Sequence, residues 1–272
     1  MDQTDLLREQ LRARESNRPY ATVTILSAEG SAPRRNGKML VFPGGETMGT
    51  IGGGAVERLA AKDAEDCIVE GTGRCVTYDL TTPDSGTGMV CGGKIAVFIE
   101  VFSAQPLLIQ CGGGHVGRCI LRLARFLGFR TLLIDDRDAG ALDGAASLAD
   151  RFLQTSDFTG TIAGLDVPAG SCGVIATHGH VQDRNALRGM LQKDLLYTGM
   201  IGSRKKISVL FDALRQEGIA DAELARVRAP IGLDLGSETP EEIALSVLAE
   251  ILLVRNGSSG RPLSIPASDR TR

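Results

Sequence analysis

The sequence predicts an α/β protein with a Rossmann-like doubly wound parallel sheet in its C-terminal part and a smaller α+β domain before it. Three observations carry this. Beyond residue 105, apolar strand-like runs alternate with helical stripes. A G-x-G-x-x-G run falls between the first of those strands and the first of those helices. Glycine supplies 34 of 272 residues, nearly twice the ~7 % average. Fourteen of them crowd into Gly44–Gly54, Gly86–Gly93 and Gly112–Gly117. With only 10 prolines and 43 % hydrophobic residues, the excess marks neither a low-complexity chain nor a disordered one.

Taken in order, Thr4 to Glu15 has the spacing of an amphipathic helix with Leu6, Leu7 and Leu11 on one face. Tyr20–Leu26, Lys38–Phe42 and Ile95–Phe102 read as strands, and Ala55–Glu70 as a helix through Val56, Leu59, Ala60 and Cys67. This stretch lacks regular β-α alternation, so it forms the α+β domain, residues 1–104. The Ser103-Ala104-Gln105-Pro106 stretch is the boundary. The second domain, 105–256, has strands at Leu107–Cys111, Thr131–Ile134, Val174–Thr177 and Tyr197–Ile201. Helices follow at Val116–Leu127 and Ser203–Glu217. The last helix starts at Thr239-Pro240-Glu241-Glu242, a capping box with proline at the first helical position. Residues 257–272 form a polar, flexible tail.

Charge and composition narrow the function. The net charge is −3 with pI near 5.7, which gives no basic field for nucleic acid or a membrane surface. With no Trp, three Tyr and eight Phe, base-stacking platforms are scarce. No apolar run is long enough to span a bilayer. The start Met1-Asp2-Gln3 carries no signal peptide, and none of the six cysteines forms a C-x-x-C pair. They read as reduced thiols of a cytoplasmic protein.

Candidate chemistry gathers in loops. In Gly112-Gly113-Gly114-His115-Val116-Gly117, Gly112 allows a tight turn, Gly114 lets a phosphate approach the backbone, and Gly117 lets helix and sheet pack closely. The following strand ends at Asp135-Asp136-Arg137, which places Asp135 where a ribose-binding acid belongs. Ser203 caps a helix whose first turn holds Arg204, Lys205 and Lys206. Cations there oppose the helix dipole and make sense with an anion at the helix start. Thr177-His178-Gly179-His180 with Asp183 also follows a strand, and His178 reads as a ligand contact rather than a metal ligand, since catalytic metals take three protein ligands. In the first domain, Arg34 and Arg35 offer guanidinium groups to phosphate or carboxylate. Gly52, Gly53 and Gly54, ahead of a helix carrying Glu57, form an anion nest. Cys91, between glycines in Gly88-Met89-Val90-Cys91-Gly92-Gly93, has an accessible thiol suited to a soft metal or to carrying sulfur.

Together these motifs resemble the XdhC/CoxI family. The likeness runs from Gly30-Ser31-Ala32-Pro33-Arg34, through Gly49–Gly54 with Glu57, Gly88–Gly93, Cys111–Val116, Ile134–Arg137 and Gly199–Lys205, to Ala229–Gly236 and Thr239–Ala244. It spans about Tyr20 to Val254. The resemblance implies an accessory protein that binds molybdenum cofactor, supports its sulfuration, and delivers it to xanthine dehydrogenase or a related molybdenum hydroxylase apo-enzyme. It also implies a cysteine desulfurase as sulfur donor and a homodimer. The cofactor is an anionic pterin phosphate with a dithiolene-bound metal. Arg34, Gly52 to Gly54, Glu57, Gly112, Gly114, His115, Gly117, Asp135, His178, Ser203 and Arg204 are the expected contacts, with Cys91 toward the metal or the sulfur donor. The three glycine loops are expected to meet in one anion-binding cleft. Two other readings stay open. One is an NAD(P)-dependent oxidoreductase, motivated by the Rossmann motif and Asp135 but lacking a Tyr-x-x-x-Lys constellation. The other is a docking module with vestigial cofactor sites.

Overall fold

The computed structural model describes residues 3–30, 34–80 and 93–264. The chain divides into two compact units, Met1–Ala104 and Gln105–Arg272.

In the first unit the elements run α1 (Gln3–Glu15), β1 (Tyr20–Gly30), β2 (Lys38–Val41), β3 (Thr47–Thr50), α2 (Gly54–Glu70), β4 (Arg74–Asp79) and β5 (Gly93–Phe102). The strands form an antiparallel sheet in the order β3-β2-β1-β5-β4. Side chains alternate across it, as the pleat requires. Met39 and Val41 face α2 with Val23, Val97 and Ile99, whereas Leu40 and Phe42 join Leu6, Ala13 and Tyr20 on the α1 side. Helix α1 corrects the expected face. Leu6 is buried, but Leu7 and Leu11 are 61 % and 59 % exposed, because Ala13, seven residues on from Leu6, supplies the inner contact. Arg14 stacks over Phe102 and Arg18 over Phe42, so aromatic rings hold the helix and its exit from outside the buried stripe.

The second unit contains β6 (Leu107–Cys111), α3 (His115–Phe126), β7 (Arg130–Asp135), a 3₁₀ turn (Ala139–Leu142), α4 (Ala145–Leu148), β8 (Arg151–Gln154), α5 (Phe158–Ala163) and β9 (Cys172–Ile175). It continues with α6 (His180–Leu191), β10 (Tyr197–Met200), α7 (Arg204–Gln216), α8 (Asp221–Leu224), β11 (Val227–Arg228) and α9 (Pro240–Arg255). All six strands are parallel, in the order β11-β10-β9-β6-β7-β8. This is the doubly wound arrangement, and the order reverses between β6 and β9. Helices α3 and α9 cover one face through Ile120, Ala124, Val247, Leu248 and Ile251. The other face packs α5, α6 and α7 through Phe158, Ile162, Leu187, Leu210 and Leu214. Helix α9 begins with the expected capping box, in which the Thr239 hydroxyl accepts from the Glu242 amide and the Glu242 carboxylate accepts from the Thr239 amide. The sequence-predicted fold class therefore holds in both units.

Candidate functional site

In the second unit the carboxyl ends of β6 and β9 lie side by side where the strand order reverses, the crevice position in such sheets. The turn after β6 shows why it needs glycine. Gly112 has φ +97°, and a Cβ there would run into the Ala176 carbonyl. Gly117 lies against the Gly112 carbonyl oxygen, so any side chain would push α3 off the sheet. A Cβ on Gly114, by contrast, would meet nothing within 4 Å. Gly114 is also the N-cap of α3 and makes no side-chain cap bond. Helix α6 likewise starts from a glycine, Gly179, without a side-chain cap. His115 and His180 are the first residues of these two helices, and both are exposed. The uncapped amides are donors at the positive end of the helix dipole.

Asp135 departs from the expected role. Its side chain is 2 % exposed, and it accepts four hydrogen bonds. Gly113 N–H donates at 2.7 Å, Arg137 N–H at 3.0 Å, and Arg137 Nε and Nη2 at 2.9 and 2.8 Å. Burial pushes the carboxyl up, but the Arg137 and Gly113 bonds and the guanidinium charge outweigh it and hold the pKa at about 2. The acid faces inward and locks the glycine turn instead of presenting itself to a ribose. Asp136 is engaged as well, with Oδ1 at 3.6 Å from His178 Nδ1 and Oδ2 accepting from Gln182 at 3.2 Å. The arginine after the two acids lines a cavity of about 200 Å³. Gly114, His115, Arg118, Leu142 and Asp143 line it too.

The loops after β9 and β10 are tied together from below. Asp183 is fully buried; its Oδ1 accepts from the Thr177 amide at 3.2 Å and hydroxyl at 2.6 Å, and Oδ2 pairs with Lys206. Ser203 caps α7 by accepting from the Lys206 amide at 3.3 Å. Of the three cations in that first turn, Lys206 is therefore spent on Asp183, while Arg204 and Lys205 are exposed. Among the described residues no group of three or more His, Cys, Asp or Glu is placed to hold a metal.

In the first unit the glycine nest is filled from within. Glu57 Oε1 accepts from the amides of Ile51 at 2.9 Å, Gly52 at 3.3 Å and Gly53 at 2.8 Å, and from the Thr50 hydroxyl. Burial raises the Glu57 carboxyl, but the bonds from Thr50, Gly53, Ile51 and Gly52 together bring it below the ordinary value. The expectation that the Gly52 and Gly53 amides stand open to an anion is corrected, because a carboxylate one helical turn along curls back onto them. Beside this loop lies a cavity of about 460 Å³ lined by Arg34, Lys38, Asn36, Thr24 and Thr50. The sequence pattern points to Arg34; it gives no such signal for Lys38, at the start of a strand.

The thiols differ sharply. Burial pushes the Cys111 thiol well above its ordinary value and the Cys172 thiol up to about 12, so neither reacts at neutral pH. Cys91 lies outside the described residues, as do Ser31, Ala32 and Pro33.

Residues 108–251 match the family model described as the XdhC Rossmann domain, and 13–79 match that of the XdhC and CoxI family. The Escherichia coli K12 protein YqeB is 34 % identical over 264 residues, which are 97 % of this chain and 48 % of YqeB. The molybdenum cofactor insertion chaperone PaoD of the same organism is 26 % identical over 284 residues, covering 93 % of this chain and 89 % of PaoD. A Bacillus subtilis 168 protein, named as a probable xanthine dehydrogenase subunit, is 28 % identical over 159 residues, 58 % of this chain and 46 % of that protein. The chain thus spans about half the length of YqeB, and its match to the Bacillus subtilis protein covers about half of that relative. A crystal structure of a xanthine dehydrogenase from Bacillus halodurans superimposes with TM-score 0.50 at 22 % identity, covering 98 % of this chain and 99 % of the other. That likeness is one of fold. Among the described residues no helix is long and apolar enough to cross a membrane.

Proposed function

Because the chain belongs to the XdhC and CoxI family, we propose that it binds molybdenum cofactor as cargo, supports its sulfuration, and delivers it to a molybdenum hydroxylase such as xanthine dehydrogenase. The observation that carries this reading is the 460 Å³ cavity, whose lining includes two cations and neutral polar groups inside the family-matched region 13–79. Those groups suit an anionic pterin phosphate. Arg34 offers a planar fork to phosphate oxygens and Lys38 a point charge. Asn36 and Thr24 offer donors and acceptors to a pterin edge. Glu57, by holding the Thr50–Gly53 backbone, fixes the wall on which Thr50 stands. Cys91 is proposed as the group that faces the metal or the sulfur donor, a cysteine desulfurase, on the strength of its glycine-flanked place in Gly88-Met89-Val90-Cys91-Gly92-Gly93 and the family resemblance of that run. A cytoplasmic homodimer fits the same reading.

The test is anaerobic mixing of the purified chain with cofactor freed from a molybdoenzyme, then gel filtration with pterin and molybdenum analysis. The wild type is expected to retain both, and Arg34→Gln with Lys38→Gln to lose at least ~10-fold in retention, or about 1.4 kcal/mol. A wild type that retains neither, or a double variant that retains as much, overturns the reading. A second reading, an NAD(P)-dependent oxidoreductase, is favoured by the strand order and the open space at Gly114. Turnover of a nicotinamide cofactor with any reductant or oxidant is its test.

A further inference from the structure

We infer that the 200 Å³ cavity of the second unit is a subsite for a phosphate group carried on a nucleotide ribose, with Arg137 and Arg118 as its recognition residues. It rests on neither reading above, since it requires binding and not cargo transfer or turnover.

The acid that would take the two ribose hydroxyls is withdrawn. Both Asp135 oxygens are committed to Gly113 and Arg137, so Asp135 offers no free acceptor to a sugar diol. The same bonds hold Arg137 by Nε and Nη2, and Arg137 lines the cavity. A guanidinium fixed on two sides loses little freedom on gripping a ligand. The second guanidinium is less tightly engaged. Arg118 donates from Nη1 to the Asp143 carboxylate and carbonyl, while its Nε is buried without a partner. Asp143 is 82 % exposed, so its pair with Arg118 is a surface pair of small net worth. A phosphate dianion can replace that carboxylate on Nη1. The uncapped N-terminus of α3 and the empty space over Gly114 lie along the same wall, where the rest of the phosphate chain fits. Asp143 is the one carboxylate among the lining residues, against the two guanidinium groups, while Ala141 and Leu142 give an apolar floor. In doubly wound folds an acid at this strand end reads a ribose hydroxyl, and an arginine nearby accommodates a ribose phosphate. Here the acid is turned into the support of the arginine. At about 200 Å³, below the ~300–1,000 Å³ of a full ligand pocket, the cavity takes the phosphate and sugar and leaves the base outside.

Calorimetric titration of the full chain with NADP⁺, NAD⁺ and inorganic phosphate tests this. NADP⁺, which differs from NAD⁺ only by a ribose phosphate, is expected to bind at least ~10-fold tighter than NAD⁺ and to outbind inorganic phosphate by more. Arg137→Gln is expected to bring NADP⁺ down to the NAD⁺ level. Asp143→Asn removes the competing carboxylate at an exposed position whose φ of +47° asparagine tolerates. It is expected to tighten NADP⁺ several-fold and leave NAD⁺ unchanged. Equal affinity for the two dinucleotides, binding of neither, inorganic phosphate binding as tightly as NADP⁺, or an Asp143→Asn variant without selective tightening each overturns the assignment. The exposed Asp143 site keeps the test decisive should Arg137→Gln fail to fold.

Discussion

Two loops of this chain share a pattern and use it in different ways. Gly52-Gly53-Gly54-Ala55-Val56-Glu57 and Gly112-Gly113-Gly114-His115-Val116-Gly117 each place three glycines at the start of a helix, a valine two residues on, and a deciding residue after it. In the first, Glu57 swings back and satisfies the amides of Ile51, Gly52 and Gly53. In the second the equivalent position is glycine, which seats α3 against the Gly112 carbonyl and leaves the helix start uncapped. A helix N-terminus needs acceptors. Neither helix start has a side-chain cap; the amides just before it are met by Glu57 in the first loop and by the Ile134 carbonyl and Asp135 in the second. The first loop is closed by an acid from its own helix, the second by an acid from the next strand with an open mouth left over Gly114, and a triple glycine alone does not tell them apart.

The sharpest way to break the comparison is Gly112→Ala. A left-handed residue gains a Cβ against fixed backbone, and the expected cost is about 3 kcal/mol or more, read as a lowered midpoint in chemical unfolding followed by circular dichroism. A loss under ~1 kcal/mol would mean that the turn is far softer than its contacts imply. Next in size is Glu57→Ala, which strips three amides of their acceptor at an expected ~1–3 kcal/mol. If the two loops are equivalent apart from their plug, added sulfate restores part of that loss in the variant and does nothing for this loop in the wild type. The smallest effect on stability belongs to Gly114→Ala, whose Cβ meets open space; under ~1 kcal/mol is expected, from the poorer N-cap. The same change fills the mouth, so NADP⁺ affinity should fall ~10-fold while the fold persists.

The second unit is largely legible in the sequence because its central strands are short, mostly apolar runs, most of them followed by a helix. The strands that escape a sequence reading are edges. Strands β3, β4, β8 and β11 are short or polar, and β4 exposes Cys75 and Thr77 in alternation with Val76 and Tyr78, too little hydrophobic signal over six residues to stand out. Helix α1 misleads because leucines at positions 7 and 11 are as helically spaced as the true Leu6–Ala13 stripe, and a small alanine gives no hint that it is the buried partner. At the sites, glycine positions are readable since sterics act on the backbone alone. The orientation of carboxylates is not. Their positions beside glycine loops suggest that Asp135 and Glu57 face a ligand, yet each closes on nearby amides. Acids one turn into a helix after a glycine loop, or two residues before an arginine, are the signals that such internal pairing leaves in a sequence.

The central place of β1 in its sheet has a bearing on how the first unit comes into being during synthesis. One edge of β1 is covered at once by the neighbouring hairpin strand β2, but the other waits for β5, whose pairing runs from Gly30 opposite Gly93 back to Tyr20 opposite Phe102. Until the ribosome has released Phe102, the nascent chain carries an apolar strand with an open side. Loop closure over that distance is slow compared with local turns. The first unit is therefore a late-closing structure, completed only as its last strand emerges.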